Sequence, residues 1–248
     1  MRKYEKSEKY NKQFVTENMM GPNSMWLLEE VCEKLDLKPG MRVLDMGCGK
    51  GLTSIFLAKE YGVTVFANDL WIPATENFIR FKQLCVDDTV FPIHAEAHEL
   101  PYANGFFDAA ISIDSYHYYG ANETYFPEYY AKLVRPGGQF GIACPGLTRE
   151  WGNTLPENLR YWWEDEMDGY LTFHSAKWWH DVWAKSGLVE IKSYGDITDA
   201  REIWYDWGAN VNPHAKGDAP LLDADTDGWL TLIYMTAVKR WEKTYEHN

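Results

Sequence analysis

The stretch VLDMGCGKG, residues 43–51, carries the strongest structural signal in this chain, since three glycines occupy five positions behind an apolar run. Residues 41–46 predict a buried strand, and residues 52–61 predict a helix. A strand, a glycine turn and a helix in this order place bare backbone at the carboxyl edge of a parallel sheet. Open α/β sheets bind ligands there, and glycine has no Cβ to hold a ligand away.

The strand and helix signals continue to alternate after this turn. Further strands are predicted over residues 63–67, 90–95, 107–113 and 139–143, with helices over 73–84 and 127–133 between them. Two more strands are predicted at 188–193 and 229–238. We therefore expect an α/β fold with a seven-stranded, mainly parallel sheet and helices on both faces.

The rest of the chain divides around this core. Residues 1–22 form a polar arm, and residues 23–145, which begin with a helix capped by Asn23 or Ser24, form the ligand-binding core. Residues 146–187 predict a helical, aromatic-rich insertion, with Ser175 as the cap of a helix over 176–185. Residues 188–248 supply the last strands, with a helix over 199–208 and then a polar loop.

Composition excludes several classes of function. The net charge of -13 repels phosphate backbones, so no nucleic-acid partner is expected. Basic and acidic residues interleave in the first twelve positions, which predicts a solvated helical arm. The four cysteines form no C-x-x-C pair or zinc spacing, and no apolar stretch reaches membrane-spanning length. We expect a cytoplasmic protein with reduced thiols, without a membrane partner and without a metal; a homo-oligomer stays open.

Two cofactor classes use such a glycine turn, dinucleotides and S-adenosylmethionine. The dinucleotide fingerprint G-x-G-x-x-G requires a third glycine where this chain has Leu52. The run here is G-x-G-x-G, with its third glycine at Gly51. A strand–helix turn without any ligand is the alternative for the glycines alone.

The chain resembles the class I S-adenosylmethionine-dependent methyltransferases, whose motif hh-D-x-G-x-G-x-G matches residues 43–51. Residues 95–102, AEAHELPY, resemble the D-A-x-x-L-P-F segment of that family, and residues 133–138, LVRPGG, resemble its L-K-P-G-G turn. The matches arrive in family order over residues 23–145. The resemblance implies an enzyme that transfers a methyl group from S-adenosyl-L-methionine to a small molecule.

The resemblance also assigns cofactor contacts. Asp69 would hold the ribose hydroxyls, with a plain turn residue as the alternative, and Asp45 would orient the amino group of the cofactor, with a loop-capping role as the alternative. Trp71 would flank the adenine unless it is core, and Glu96 stands where the family usually has Asp. The complete implied set is Asp45, Gly47, Gly49, Gly51, Asp69, Leu70, Trp71, Glu96, Ala97, Ser112 and Ile113.

His117 is the candidate catalytic residue. Related small-molecule methyltransferases read D-x-L-H-H after the fourth strand, and His117 matches the first His while Tyr118 replaces the second. His117 would orient the acceptor or act as a base, or it has a structural role beside the cofactor. No triad is required, because methyl transfer depends mainly on the alignment of the reactants.

The aromatic insertion predicts either core or the wall of an acceptor pocket. Rings over a cationic amine would add favourable cation–π contacts, and Glu164, Asp165, Glu166 and Asp168 also suit a cation, although a solvated acidic face explains them as well. We expect acceptance of methyl groups on N, O or S, and a preference for neutral or cationic acceptors over phosphorylated ones. The arm is expected to cover the cofactor, with Tyr10 or residues 20–22 near it.

Two other functions stay open from sequence. One is a non-catalytic regulatory protein that binds S-adenosylmethionine, and the other is a nucleotide-dependent oxidoreductase, which Leu52 disfavours. Residues 223–228, DADTDG, match the start of a calcium loop, but Tyr234 stands where such a loop has Glu, so a polar turn is expected.

Overall fold

The structure is a computed structural model that describes residues 4–152, 155–163, 172–210 and 212–241. Its sheet has seven strands in the order β3-β2-β1-β4-β5-β7-β6. The strands are β1 Arg42–Met46, β2 Thr64–Asp69, β3 Val90–His94, β4 Phe107–Ile113, β5 Val134–Leu147, β6 Val189–Asp196 and β7 Leu230–Lys239. All seven overlap the strands predicted from sequence.

The sheet is mainly parallel, as predicted. β1 pairs in parallel with β2 on one side and with β4 on the other. β7 lies between β5 and β6 and runs antiparallel to both. Because β2 and β4 leave β1 in opposite directions, the strand order reverses between β1 and β4. This switch point opens a crevice at the carboxyl ends of these strands.

Helices cover both faces of the sheet. They are α1 Lys12–Asn18, α2 Ser24–Cys32, α3 Leu52–Tyr61, α4 Ala74–Gln83, α5 Tyr116–Gly120, α6 Ala131–Leu133, α7 Arg160–Trp163, α8 Ala176–Lys185, α9 Ala200–Gly208 and α10 Asp218–Ala224. Successive strand residues point to opposite faces. Val43 of β1 accordingly packs in one core cluster with α2 and α3, whereas Leu44 packs in the other with α8.

The polar loop predicted after residue 208 is wrong. The chain forms a 3-10 turn over Pro213–Gly217 and then helix α10. Leu221 and Leu222 are buried in the first core cluster, so packing stabilises a short helix within an otherwise polar stretch. Two adjacent leucines give no helical period, which explains why the sequence alone did not reveal this helix.

The solvated arm is also wrong for the described part of residues 1–22. The ring of Tyr4 is buried and stacks on Trp26 at 5.3 Å between centroids. The carboxylate of Glu29 accepts hydrogen bonds from the backbone N–H of Lys6 and from both the N–H and the hydroxyl of Ser7. The arm therefore packs against α2, and its charged residues lie around the buried contact between Tyr4 and Trp26.

Aromatic residues of helix α8 in the predicted insertion form core, which is one of the two expected roles. Trp179 and Trp183 of α8 are fully buried, and Trp183 stacks on Phe126 at 4.1 Å between centroids. The hydroxyl of Tyr116 accepts a hydrogen bond from Trp183 Nε1 at 3.1 Å. These rings form core under the sheet. Tyr170 and the acids Glu164, Asp165, Glu166 and Asp168 lie outside the described residues.

Among the described residues, no helix combines the length and the apolar character needed to cross a bilayer.

Candidate active site

The glycine turn lies at the carboxyl end of β1. Gly47 has a φ of +72°, and a Cβ built there would lie 1.9 Å from the hydroxyl oxygen of Ser115. Gly51 has a φ of +82° and would place its Cβ 2.4 Å from the ring of Phe81. Glycine is therefore required at these two positions both by backbone conformation and by close packing. Between them the backbone of Gly49, also at positive φ, is left bare toward a cavity.

Asp69 ends the neighbouring strand β2 and faces this turn. One carboxylate oxygen accepts the backbone N–H of Gly49 at 2.8 Å, and the other accepts the N–H groups of Trp71 and Ile72, both at 2.8 Å. A carboxylate has about four lone-pair sites, so capacity remains for further donors. Asp69 is thus buried, fixed in orientation and still able to accept hydrogen bonds from the cavity.

A cavity of about 150 Å³ extends from the glycine turn along the ends of β1, β2 and β4. Of the eleven predicted cofactor contacts, eight line it directly: Gly47, Gly49, Asp69, Leu70, Trp71, Glu96, Ala97 and Ile113. Asp45, Gly51 and Ser112 lie behind the wall. Met20 and Gly21 of the arm close the cavity, whereas Tyr10 packs on Phe56 instead.

Asp45 is buried behind the turn. Its Oδ2 accepts the hydroxyls of Thr53 at 2.6 Å and Ser54 at 2.5 Å. Its Oδ1 has no hydrogen-bond partner within the described parts of the chain. Burial raises the pKa of Asp45 to about 6, although the two hydroxyl donors act in the opposite direction. A buried oxygen without a donor is costly, and a ligand amine would relieve that cost.

The adenine side of the cavity is only partly prepared. Leu70 and Trp71 are exposed, at 52% and 62% of their surface. The carboxylate of Glu96 is occupied by His98, whose backbone N–H and ring Nδ1 lie at 2.7 and 2.8 Å from its two oxygens. Trp71 is therefore accessible beside Tyr118, and Glu96 is oriented by His98 while each of its oxygens keeps capacity for a further donor.

Ser112 supports the site from behind. Its hydroxyl lies 2.7 Å from the hydroxyl of Tyr119, which donates to the carbonyl of Met46 at 3.2 Å. This chain of contacts ties the end of β4 to the end of β1. Ile113 reaches the cavity, and Ser112 fixes its position.

His117 lies in a second, larger cavity of about 990 Å³ beside the first. The side chain is 2% exposed, and its Nδ1 has no partner among the described residues. Burial lowers the pKa of His117 to about 3. The ring is thus a neutral imidazole at any physiological pH, packed against Tyr118 and Phe173.

The two cavities share a wall. Met20, Gly21, Lys50, Trp71, Asp114 and Tyr118 line both of them. Asp114 stands at this junction with a φ of +56°, and a Cβ on Gly21 would lie 1.8 Å from its Oδ2, so the carboxylate touches the arm. Burial, and then the charge of Asp218, raise the pKa of Asp114 well above its ordinary value.

The outer wall of the second cavity comes from the C-terminal helices. Trp204 and Trp207 of α9 and Asp218 and Leu221 of α10 line it. Trp204 Nε1 donates to Asp218 Oδ2 at 2.8 Å. Two hydrogen bonds hold the arm in place. Asn212 Nδ2, beside this wall, donates to the carbonyl of Met19 at 3.2 Å. Lys50 Nζ, in the glycine turn, donates to the carbonyl of Glu17 at 3.1 Å.

Sequence reasoning missed the roles of Asp114 and Asp218. Asp114 follows β4 only three residues before His117, but a single acid after a strand is an ordinary turn residue. Asp218 lies on the helix that was predicted as loop, so no local signal marked it. Within the described residues, no group of three His, Cys, Asp or Glu side chains is placed to hold a metal ion.

Comparison with known proteins agrees with the fold and the turn. The sequence profile of the Mycolic acid cyclopropane synthetase family matches residues 24–161. Methyltransferase GfsG of Streptomyces halstedii is 32% identical over 120 residues, which cover 47% of this chain and 42% of GfsG. The chain thus spans less than half the length of this curated relative.

Two solved structures share the fold. Phosphoethanolamine N-methyltransferase 2 of Haemonchus contortus, in complex with phosphomonomethylethanolamine and S-adenosylhomocysteine, gives a TM-score of 0.74 at 20% identity and covers 90% of this chain and 55% of that one. Geranyl diphosphate C-methyltransferase of Streptomyces coelicolor A3(2) gives 0.70 at 16% identity and covers 86% and 77%.

The sheet order, the glycine turn and the acid that ends β2 are those of the class I S-adenosylmethionine-dependent methyltransferase fold, as the resemblance implied. Since the matched profile covers more than half of its residues, the chain belongs to the Mycolic acid cyclopropane synthetase family.

Proposed function

We propose that this protein transfers a methyl group from S-adenosylmethionine, bound in the smaller cavity, to a small-molecule nucleophile bound in the larger one. The observation that carries the proposal is the shared wall at Gly21, Asp114 and Tyr118, where two ligands would meet. S-Adenosylmethionine supplies a methyl group on a positively charged sulfur. The acceptor atom stays open, and the names of the similar proteins add carbon to the N, O and S expected from sequence.

The residues of the smaller cavity fit this cofactor. The Oδ2 of Asp69 keeps a lone pair for a ribose hydroxyl, and the orientation of the carboxylate is already fixed by three backbone N–H groups. The carboxylate of Asp45 behind the glycine turn would favour a positively charged amine in the cavity through its charge. The bare backbone at Gly47 and Gly49 lets such a ligand lie close to the sheet edge.

Catalysis in this arrangement is chiefly positioning. Alignment of two bound reactants can supply about 7–11 kcal/mol of the barrier. The arm excludes water above the junction, because Met20 and Gly21 cover it and hydrogen bonds hold it on both sides. His117 orients the acceptor as a neutral hydrogen-bonding group, since a histidine with so low a pKa is a weak base near neutrality.

The test is turnover with methyl-labelled S-adenosylmethionine and a panel of small acceptors that carry N, O, S or nucleophilic carbon. We expect S-adenosylhomocysteine to form only when an acceptor is present, with label in a single product found by mass spectrometry. A protein that binds the cofactor but forms no product with any acceptor would instead support the non-catalytic regulatory function.

A further inference from the structure

Two acidic side chains line the larger cavity. Asp114 comes from the loop after β4, and Asp218 comes from the first turn of α10. Burial and then the charge of Asp218 raise the pKa of Asp114, and burial raises the pKa of Asp218. Such a pair in a ligand cavity is unfavourable without a cation.

The two acids differ in their partners. Asp218 accepts a hydrogen bond from the indole of Trp204 at 2.8 Å, and the side chain of Trp207 is a second donor to it. The Asp114 side chain accepts none from the described residues, although it lies against the backbone of Gly21. Beside it, His117 presents a buried Nδ1 that also has no described partner. The inner end of the cavity therefore holds hydrogen-bonding capacity that the protein does not use.

Aromatic side chains contribute much of the described lining of the same cavity. They are Trp71, Tyr118, Phe173, Trp204 and Trp207. The faces of such rings attract organic cations, and their area suits an apolar substituent. Phe173 is the one of these five that belongs to the predicted insertion, whereas Trp178 and Trp179 of the insertion pack elsewhere.

Phosphate esters would meet the wrong charge here. Among the described lining residues, Lys50 is the one permanently cationic side chain, and its Nζ is held by the carbonyl of Glu17 at the rim. Phosphate sites normally present arginine forks or several lysines. The phosphorylated ligands named for the two similar structures therefore do not suit this cavity.

We propose that the acceptor is an unphosphorylated organic amine that binds as its ammonium ion between Asp114 and Asp218 inside the aromatic wall. This deepens the proposed function and rests on it. Asp114, at the junction of the two cavities, takes one proton from the ammonium nitrogen and becomes a neutral carboxylic acid. The freed lone pair forms the new N–C bond as the methyl–sulfur bond breaks and its electron pair stays on sulfur.

The test is calorimetry with protein saturated with S-adenosylhomocysteine, using amines paired with alcohols of the same shape. The pairs are 2-phenylethylamine with 2-phenylethanol, cyclohexylamine with cyclohexanol and ethanolamine with ethylene glycol, and phosphoethanolamine serves as the phosphorylated probe. We expect at least one amine to bind ten times more tightly than its alcohol, and phosphoethanolamine to bind more weakly than ethanolamine.

Variants separate this proposal from a merely structural role. Asp114→Asn keeps a residue that tolerates the left-handed backbone, and we expect it and Asp218→Asn to remove the preference for the amine while S-adenosylhomocysteine binding persists. Asp223→Asn, on the exposed side of the same helix, is the matched control and should change nothing. The proposal is overturned if no amine binds better than its alcohol, or if Asp114→Asn leaves the preference intact. If the unmodified protein does not bind S-adenosylhomocysteine at all, the proposed function itself is contradicted.

Discussion

The cofactor cavity and the acceptor cavity are built in different ways. In the first, the ligand-facing acid is already held by its own surroundings, because Asp69 accepts three backbone hydrogen bonds. In the second, Asp114 and His117 are enclosed with no described partner for the carboxylate or for Nδ1. The difference is that the acid facing the smaller cavity is oriented by the protein itself, with the unpartnered Oδ1 of Asp45 behind it, whereas the Asp114 carboxylate and Nδ1 of His117 in the larger cavity have no described partner.

The largest expected effect comes from Gly47→Ala, which tests whether the cofactor side is as closely fitted as described. The new Cβ would lie 1.9 Å from the Ser115 hydroxyl at a φ of +72°. Backbone strain and overpacking together predict a loss of about 2–5 kcal/mol in the free energy of unfolding, measured by urea denaturation.

Gly40→Ala is the matched control for that variant. Gly40 has a φ of +82° but nothing within 4 Å of a built Cβ, so it isolates the backbone strain. We expect it to cost about 1–2 kcal/mol. Equal losses in the two variants would show that the glycine turn is not tightly packed against Ser115.

Asp45→Asn sharpens the comparison, because it tests whether the buried, unpartnered Oδ1 of Asp45 behind the smaller cavity lowers the stability of the fold. The folded pKa of about 6 exceeds the ordinary value of 3.8, so ionising Asp45 destabilises the fold as pH rises through this range. At pH 7.5 the variant should be more stable by up to about 3 kcal/mol, at 1.36 kcal/mol per pKa unit. Thermal unfolding at pH 4 and pH 7.5 measures this.

The same variant should bind the cofactor more weakly, because Asn carries no charge for a ligand amine. Its stability advantage should be nearly absent at pH 4, where Asp45 is protonated in the folded state. A variant that is less stable than the parent at pH 7.5 would show that the unpartnered Oδ1 is satisfied in the free protein.

His117→Asn has the smallest expected effect and tests the acceptor side. Since burial lowers the pKa of His117 to about 3, its protonation does not limit the reaction between pH 5 and 8. We expect kcat/KM to fall by about tenfold to a hundredfold through lost orientation, with an unchanged shape of the pH profile. A limb near pH 6.5 in the parent that disappears in the variant would identify His117 as the base instead.

Sequence brings most of the predicted cofactor contacts to one cavity because the determinants of their positions are local. Gly47, Gly49 and Asp69 lie at the ends of adjacent strands, and their positions follow from the alternation of strands and helices. The acceptor side is assembled from distant segments, so Asp114, Trp204 and Asp218 come together only through the tertiary fold. Helix α10 was hidden because Leu221 and Leu222 are stabilised by packing and not by a helical pattern.

The role of the aromatic residues shows the same limit. Composition indicates that the second half is rich in tryptophan, but it does not separate Trp183, which is fully buried beside Phe126, from Trp204, which lines a cavity. Both lie on amphipathic helices with similar surroundings in sequence. The distinction arises from which sheet face each helix covers.

The most direct test of the account is calorimetric titration of the purified protein with S-adenosylhomocysteine, compared with Asp69→Ala and with Asp88→Ala as an exposed control. Loss of a hydrogen bond to a charged acceptor, at about 1.5–3 kcal/mol, predicts about tenfold to a hundredfold weaker binding for Asp69→Ala and unchanged binding for the control. No heat with the unmodified protein, or equal affinity in Asp69→Ala, would contradict it.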